Sequence, residues 1–152
     1  MPLSDIRPVL KNKKAYFNYE IMETLETGIV LKGTEVKSIR ERNVSINESY
    51  ARFHNGELFI YNMDISPYKC GNILNHEPKR PRKLLLKKSQ IKRLIGKTSE
   101  KGLTLIPLSL YFKNGFAKLE IGLARGKKLY DKREVIKKRM SQREIQQVMK
   151  RR

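Results

Sequence analysis

The chain has a single cysteine, Cys70, no tryptophan, and two histidines, His54 and His76. One cysteine excludes an intramolecular disulfide and any metal site built on paired thiolates, and it suits a reducing compartment. Apolar runs are short. None approaches the roughly 20 residues that span a bilayer, and Met1 to Leu10 lacks the apolar core of a signal peptide. A soluble, cytoplasmic protein with no membrane partner is therefore expected. Acidic residues are also scarce, 15 against 34 Lys and Arg, which leaves a formal charge of +19.

Such a charge attracts polyanions, chiefly nucleic acid, and an anionic membrane surface would respond to it too. Its distribution narrows the choice. Lys79 to Lys101 holds ten basic residues and one acid, and Arg125 to Arg152 holds twelve and three. Each stretch is +9, so the rest of the chain contributes only +1. Charge gathered in two places is the pattern of a binding footprint, whereas a merely solubilising surface would spread it.

Two hairpins are legible. Tyr50 to His54 and Glu57 to Tyr61 flank Asn55-Gly56, a pair that tolerates the positive φ angles of a tight turn. Leu105 to Phe112 and Phe116 to Leu123 flank Lys113-Asn114-Gly115. In the second hairpin Ile106, Leu108, Leu110 and Phe112 alternate with Pro107, Ser109 and Tyr111. On the return, Ala117, Leu119, Ile121 and Leu123 alternate with Lys118, Glu120 and Gly122. Each arm so has one apolar face. Pro107 lacks an amide donor and indicates an edge or a bulge. Gly28 to Leu31 reads as part of another strand.

Helical signals are fewer. Thr34 is a candidate cap for a short helix carrying Val36 and Ile39. Ile91, Leu94 and Ile95 form a stripe with Ser89 near its start and Gly96 as its stop. Its other face carries Lys88, Lys92, Arg93 and Lys97. Ser66 to Arg82, with Pro67, Pro78 and Pro81, reads as a long connection. The expected fold is mainly β: an OB-like antiparallel closed barrel with short flanking helices, which removes sheet edges and leaves a face open to nucleic acid. A two-layer α+β sandwich is the competing architecture.

The expected organisation is an N-terminal extension over 1–11, a body over 12–124 and a basic, flexible C-terminal tail over 125–152. The tail contains good helix formers, but its apolar stripe is broken. Ile136 and Met140 share one face, while Ile145 lies about half a turn away on an ideal helix. This is little burial to hold a helix on the body, so the tail is expected to be disordered when free and helical on an anionic partner.

No enzyme motif is present. There is no Gly-rich phosphate loop ending in Lys and Ser or Thr, and no HExxH helix. His54 and His76 are more often surface or packing residues than ligands or bases, and Cys70 reads as a small apolar filler. Glu20, Glu23 and Glu26 read as a solvated face. The positive signals concern RNA. Lys79-Arg80-Pro81-Arg82-Lys83 is stiffened by its proline and suited to phosphates. Tyr16, Phe17 and Tyr19 interleave with Lys13 and Lys14, a mix that stacks on unpaired bases but is equally readable as core.

Several ordered motifs together resemble the SsrA-binding protein family, also called small protein B. They are Gly33-Thr34-Glu35-Val36-Lys37-Ser38, Asp64-Ile65-Ser66-Pro67-Tyr68, Arg80-Pro81-Arg82-Lys83-Leu84-Leu85-Leu86 and Leu110-Tyr111-Phe112-Lys113-Asn114-Gly115, followed by Ala124 to Glu134. They cover roughly residues 12 to 138. The resemblance implies an OB-like barrel and a non-catalytic RNA-binding adaptor of trans-translation with no cofactor. It implies binding to the tRNA-like domain of transfer-messenger RNA (SsrA RNA) and delivery of that RNA to the A site of stalled ribosomes. The tail would occupy the empty mRNA channel beside the decoding centre of the small subunit. Elongation factor Tu and alanyl-tRNA synthetase would be partners through the RNA.

Matched position by position, the resemblance implies RNA contacts from Glu26, Arg82, Lys83, Leu85, Lys87, Gly126, Lys127 and Lys128. It implies ribosome contacts from Asp131, Lys132, Arg133, Lys137, Lys138 and Arg139. Where relatives carry a basic residue and His, this chain has Tyr16 and Phe17, and no contact is carried over to that segment. Charge alone would equally suit a ribosomal protein or a general RNA-binding module. An RNA nuclease or modifier is the remaining rival, and it lacks a catalytic constellation.

Overall fold

In the computed structural model, residues 6–71, 75–100 and 102–127 are described, together with 136–137, 139–140 and 142–143. The chain is mainly β, with a seven-stranded antiparallel sheet, a two-stranded one and, among the described residues of 6–127, three helices. The strands of the large sheet are β1 (Ile6–Lys11), β2 (Tyr19–Ile29), β4 (Tyr50–His54), β5 (Glu57–Tyr61), β7 (Arg82–Leu85), β8 (Leu103–Lys113) and β9 (Phe116–Gly126). Strands β3 (Val44–Ser45) and β6 (Asp64–Ile65) pair separately. The helices are α1 (Lys13–Asn18), α2 (Gly33–Arg40) and α3 (Lys88–Thr98).

Both hairpins turn where Asn-Gly places them. Asn55 and Gly56 have φ of 52° and 75°, and Asn114 and Gly115 have 54° and 81°. Two successive positive φ angles match the strand twist, and Asn and Gly are the residues that tolerate them. The long hairpin β8–β9 extends beyond its alternating core, from Leu103↔Arg125 to Lys113↔Phe116. Pro107 sits at a bulge: the register shifts between Pro107 and Ser109. The strand accommodates a residue with no amide donor at this bulge, in the gap on the far side from β9 between the β1 partners at 109–113 and the β4 partner at Leu105, where the Pro107 carbonyl accepts from Asn12 Nδ2.

The pairings follow one another from strand to strand. β8 pairs β4 at Leu105↔Ala51, β4 pairs β5, and β5 pairs β7 at Ile60↔Arg82. β7 then pairs β2 at Leu85↔Gly28, β2 pairs β9 over nine register positions from Tyr19↔Gly126 to Gly28↔Lys118, and β9 pairs β8. Inside lie Leu58, Ile60, Leu84, Leu105, Leu110, Leu119 and Ile121, with Ile39 of α2 and Leu94 of α3 packed against them. Each such side chain contributes about 1.5–3 kcal/mol by leaving water. A second cluster, Ala15, Ile106, Leu108 and Ala124, seats α1 on the sheet.

Several elements depart from expectation. Residues 6–11, placed in an extension by the sequence, form β1 and pair with β8. Lys13–Asn18 is helical, held by Asn12, whose side chain accepts from the Ala15 amide at 3.2 Å and donates to the Pro107 carbonyl at 2.9 Å. α2 is capped at Lys32 and not by Thr34: Glu35 Oε1 accepts from the Lys32 amide at 2.8 Å. Thr34 instead meets His76 Nδ1 at 2.8 Å, while His76 Nε2 donates to the Ile65 carbonyl at 2.8 Å. His76 is thus a buried bolt between the long connection and α2. α3 runs through Gly96 to Thr98 and is capped at Ser99, whose amide donates to the Ile95 and Lys97 carbonyls.

Candidate nucleic-acid interface

The strand pleat decides which residues of β2 and β7 face outward. Thr27 and Ile29 are buried, so Glu26 and Gly28 point to the opposite face. Gly28 pairs with Leu85, which is 51% exposed. A Cβ on Gly28 would lie 3.2 Å from Leu85 Cβ, so a side chain there would crowd Leu85. Lys83 shares the outer face of β7 with Leu85, since Arg82 and Leu84 are buried between them. The structure therefore brings Glu26, Lys83 and Leu85 onto one surface, and Lys87 follows as the exposed N-cap of α3.

Glu26 is held from two directions. The Tyr111 hydroxyl donates to its Oε2 at 2.5 Å, and Lys113 Nζ lies 3.5 Å from the same oxygen. Burial pushes the Tyr111 phenol well above its ordinary value, and the hydrogen bond to Glu26 adds to the effect. Beside Leu85 a shallow groove of about 230 Å³ runs between Gly28, Leu31, Val36 and the hairpin tip at Phe116. Phe116 is 70% exposed. A carboxylate acceptor, apolar side chains and cations on one open face suit bases and phosphates together.

Lys83 Nζ pairs with Glu57 at 3.0 Å, both partners substantially exposed. Such a pair is worth at most about 1 kcal/mol and yields readily to a phosphate. On α3, Lys88, Lys92 and Lys97 are exposed. Arg93 is engaged: its Nη2 lies 2.5 Å from Glu23 Oε1 of β2. Hydrogen bonding and charge from Arg93 hold the Glu23 carboxyl below its ordinary value. Glu23 is thereby separated from Glu20 and Glu26, which face the other side of the strand.

Arg82 corrects the sequence reading. Its side chain is 0% exposed and has no surface to offer RNA. Its Nε pairs with the equally buried Glu35, and its Nη atoms donate to the carbonyls of Met63 at 2.7 Å, Pro78 at 3.0 Å and Arg80 at 3.1 Å. Arg80 Nη2 meets the other oxygen of Glu35 at 2.6 Å. Desolvation pushes the Glu35 carboxyl up, but bonds from Arg80, the Lys32 amide and Arg82 outweigh it and hold the carboxyl below its ordinary value. This cluster pins the long connection onto α2 and β7. Alternation along Arg82-Lys83-Leu84-Leu85 is the signal that places Arg82 inward beside Leu84; the run of basic residues obscures it.

Gly126 and Lys127 lie at the far end of the β2–β9 pair from Gly28 and Leu85, not beside them. The Lys127 amide donates to the Asn18 carbonyl at 2.9 Å and Lys127 Nζ to the Tyr16 carbonyl at 3.1 Å, which fixes the start of the tail against α1. Lys128, Asp131, Lys132, Arg133 and Lys138 lie outside the described residues. Lys137 and Arg139 are helical and exposed, and the Arg139 guanidinium stands 5.7 Å from the centre of the Phe17 ring. Lys113 and Phe116 were missed by sequence reasoning as members of the surface, and Tyr111 as the buried residue that holds Glu26. Tyr111 alternates with Leu110 and Phe112, and that alternation was the available sign.

Among the described residues no group of three His, Cys, Asp or Glu is placed to hold a metal ion, and no helix is long and apolar enough to cross a membrane. The family model described as SmpB protein matches residues 9–151. An SsrA-binding protein of Carboxydothermus hydrogenoformans is 61% identical over 142 residues, 93% of this chain and 95% of the relative. One of Geobacillus kaustophilus is 53% identical over 152 residues, 100% of this chain and 98% of the relative. A chain solved under the description "tmRNA-SmpB: a journey to the center of the bacterial ribosome" superimposes with a TM-score of 0.68 at 54% identity, covering 81% of this chain and 87% of that one.

Proposed function

The chain belongs to the SmpB family, the SsrA-binding proteins, and on that basis we propose that it is a non-catalytic RNA-binding adaptor of trans-translation. It binds the tRNA-like domain of transfer-messenger RNA and helps deliver that RNA to the A site of stalled ribosomes in the cytoplasm, leading to peptide tagging and ribosome rescue. Elongation factor Tu and alanyl-tRNA synthetase are reached through the RNA.

The observation that carries the assignment of the RNA face is Leu85, half exposed on the same outer surface as Glu26 and Lys83. Nothing in the core requires an exposed leucine there, whereas an unpaired base offers it a flat partner. Lys87 extends this surface, and Gly126, Lys127 and Lys128 form a second contact at the start of the tail. Asp131, Lys132, Arg133, Lys137, Lys138 and Arg139 are assigned to the decoding centre and mRNA channel of the small subunit. Residues 12–124 act as the RNA-binding body and 125–152 as the tail, helical on the ribosome.

The finer architecture in this reading is an OB-like closed barrel. Its support is the order of pairing: from β8 through β4, β5, β7 and β2 to β9, which pairs again with β8.

Sequencing the RNA that co-purifies with the tagged protein from its host tests the assignment. Enrichment of transfer-messenger RNA, with ribosomes recovered mainly in its company, is expected. Equal recovery of all ribosomes without that RNA would make the chain a ribosomal protein instead.

A further inference from the structure

A cavity of about 440 Å³ opens between α1 and the loop that leads into β4. Its walls carry three rings, Phe17, Tyr19 and Tyr50, and two amides, Asn18 and Asn47. Its floor is already satisfied: Asn12 bonds the Pro107 carbonyl and the Ala15 amide, and Ser49 Oγ donates to the Ile46 carbonyl at 2.5 Å. The rim carries one charge of each sign, and two further cations stand close by. Lys14 closes one side through an exposed ion pair with Glu48 at 3.3 Å, and Lys127 and Arg139 stand on the side where the tail begins.

We propose that this cavity takes a single unpaired nucleobase of RNA, stacked on Phe17 and Tyr19 and read at its edge by Asn18 and Asn47. The inference rests on the RNA-binding function proposed above and adds a binding site away from the Glu26 and Leu85 surface. The volume lies in the range that holds a small ligand, about 300–1,000 Å³, and matches one nucleoside rather than a helix. The amides carry both donor and acceptor atoms, as a base edge requires. Among the described residues neither Asn18 nor Asn47 has a side-chain hydrogen bond, and neither the Tyr19 nor the Tyr50 hydroxyl has a partner.

The surroundings favour a base within a strand over a free metabolite. A phosphodiester on either side of the flipped base meets Lys14, Lys127 or Arg139 at the rim, and the Lys14–Glu48 pair is exposed and weak enough to open. Tyr50 is braced from behind by Tyr61, whose ring is stacked at 5.6 Å, and by Arg52 at 5.5 Å. The wall it forms is therefore rigid before any ligand arrives. Arg139 already stands over Phe17, so the tail and a bound base meet at the same ring.

The test uses the full chain with an adenylate hexamer RNA, a uridylate hexamer and AMP, followed by fluorescence anisotropy and by NMR of the aromatic rings. Phe17 and Tyr19 ring signals should shift with the hexamers, and AMP should bind far more weakly than adenylate hexamer. Hexamer affinity should fall at least about fivefold in Phe17→Ala, the factor that about 1 kcal/mol of stacking represents. Asn47→Ala, in an exposed loop where folding is not at stake, should weaken it as well. Unmoved ring signals, unchanged affinity in both variants, or AMP binding as tightly as the hexamer would each overturn the inference. Binding of the tRNA-like domain by the unaltered chain is measured alongside. Its loss would remove the proposed function, and its retention leaves that function standing whatever the cavity does.

Discussion

Tyr111 on β8 donates to Glu26 on β2 at 2.5 Å, reaching across β9, which lies between the two strands. The bond makes Glu26 a positioned acceptor on an open face, because its carboxylate is fixed from beneath by a nearly buried phenol.

Tyr111→Phe removes that bond and nothing else of consequence. Affinity for the tRNA-like domain should fall about fivefold to tenfold, with a stability loss of only about 0.5–1.5 kcal/mol. The phenol is raised in the folded state, so its contribution is complete below the unfolded value of about pH 10 and disappears as pH climbs through the folded value. The unaltered chain should therefore lose stability above about pH 10 faster than Tyr111→Phe does, in denaturant melts at stepped pH.

Glu35 answers to two buried arginine contacts. Glu35→Ala leaves Arg82 charged and unpaired in the interior and should cost about 3–5 kcal/mol in chemical denaturation. The Glu35 carboxyl is held below its ordinary value, so its contribution is complete above about pH 4.3 and is lost as pH falls through the folded value. Glu35→Gln should flatten this acid limb. Arg82→Met, studied at a temperature where it remains folded, should keep its RNA affinity, because Arg82 has no surface to give.

Lys83→Glu tests the outer face directly. It should weaken RNA binding by introducing repulsion against phosphate, and lower the slope of log affinity against log salt by about one. Thermal stability should stay within about 0.5 kcal/mol, since the lost pair with Glu57 is exposed. Filter binding at several salt concentrations reads both quantities. An unchanged affinity and slope would take Lys83 out of the interface.

Removal of residues from Asp131 onward should leave binding to the tRNA-like domain largely intact and abolish peptide tagging of truncated messages. Simultaneous loss of both would mean that body and tail do not divide the work as proposed.

What the sequence made legible followed from local chemistry. The Asn-Gly turns announced both hairpins because few other pairs take two positive φ angles in succession. The outer position of Leu85 and Lys83 and the inner position of Arg82 follow from one alternation, yet the density of positive charge made Arg82 look like Lys83, a phosphate ligand. α1 was hidden because it is six residues long and held from outside, by Asn12 and by its seat on Ile106, Leu108 and Ala124. β1 was hidden because its pairing with β8 spans about a hundred residues of chain. The cavity beside α1 draws on three separate segments, and no spacing in the sequence brings those together.

The β2–β9 register carries a mechanical consequence. Gly28 opposite Lys118 stands beside Leu85, and Tyr19 opposite Gly126 stands where the tail departs. Eight residues of extended strand between Lys118 and Gly126 amount to about 26 Å. An interstrand ladder does not stretch, so the two proposed RNA contacts stand at a fixed separation, like the jaws of a caliper. An RNA that engages both must present its contacts at that span.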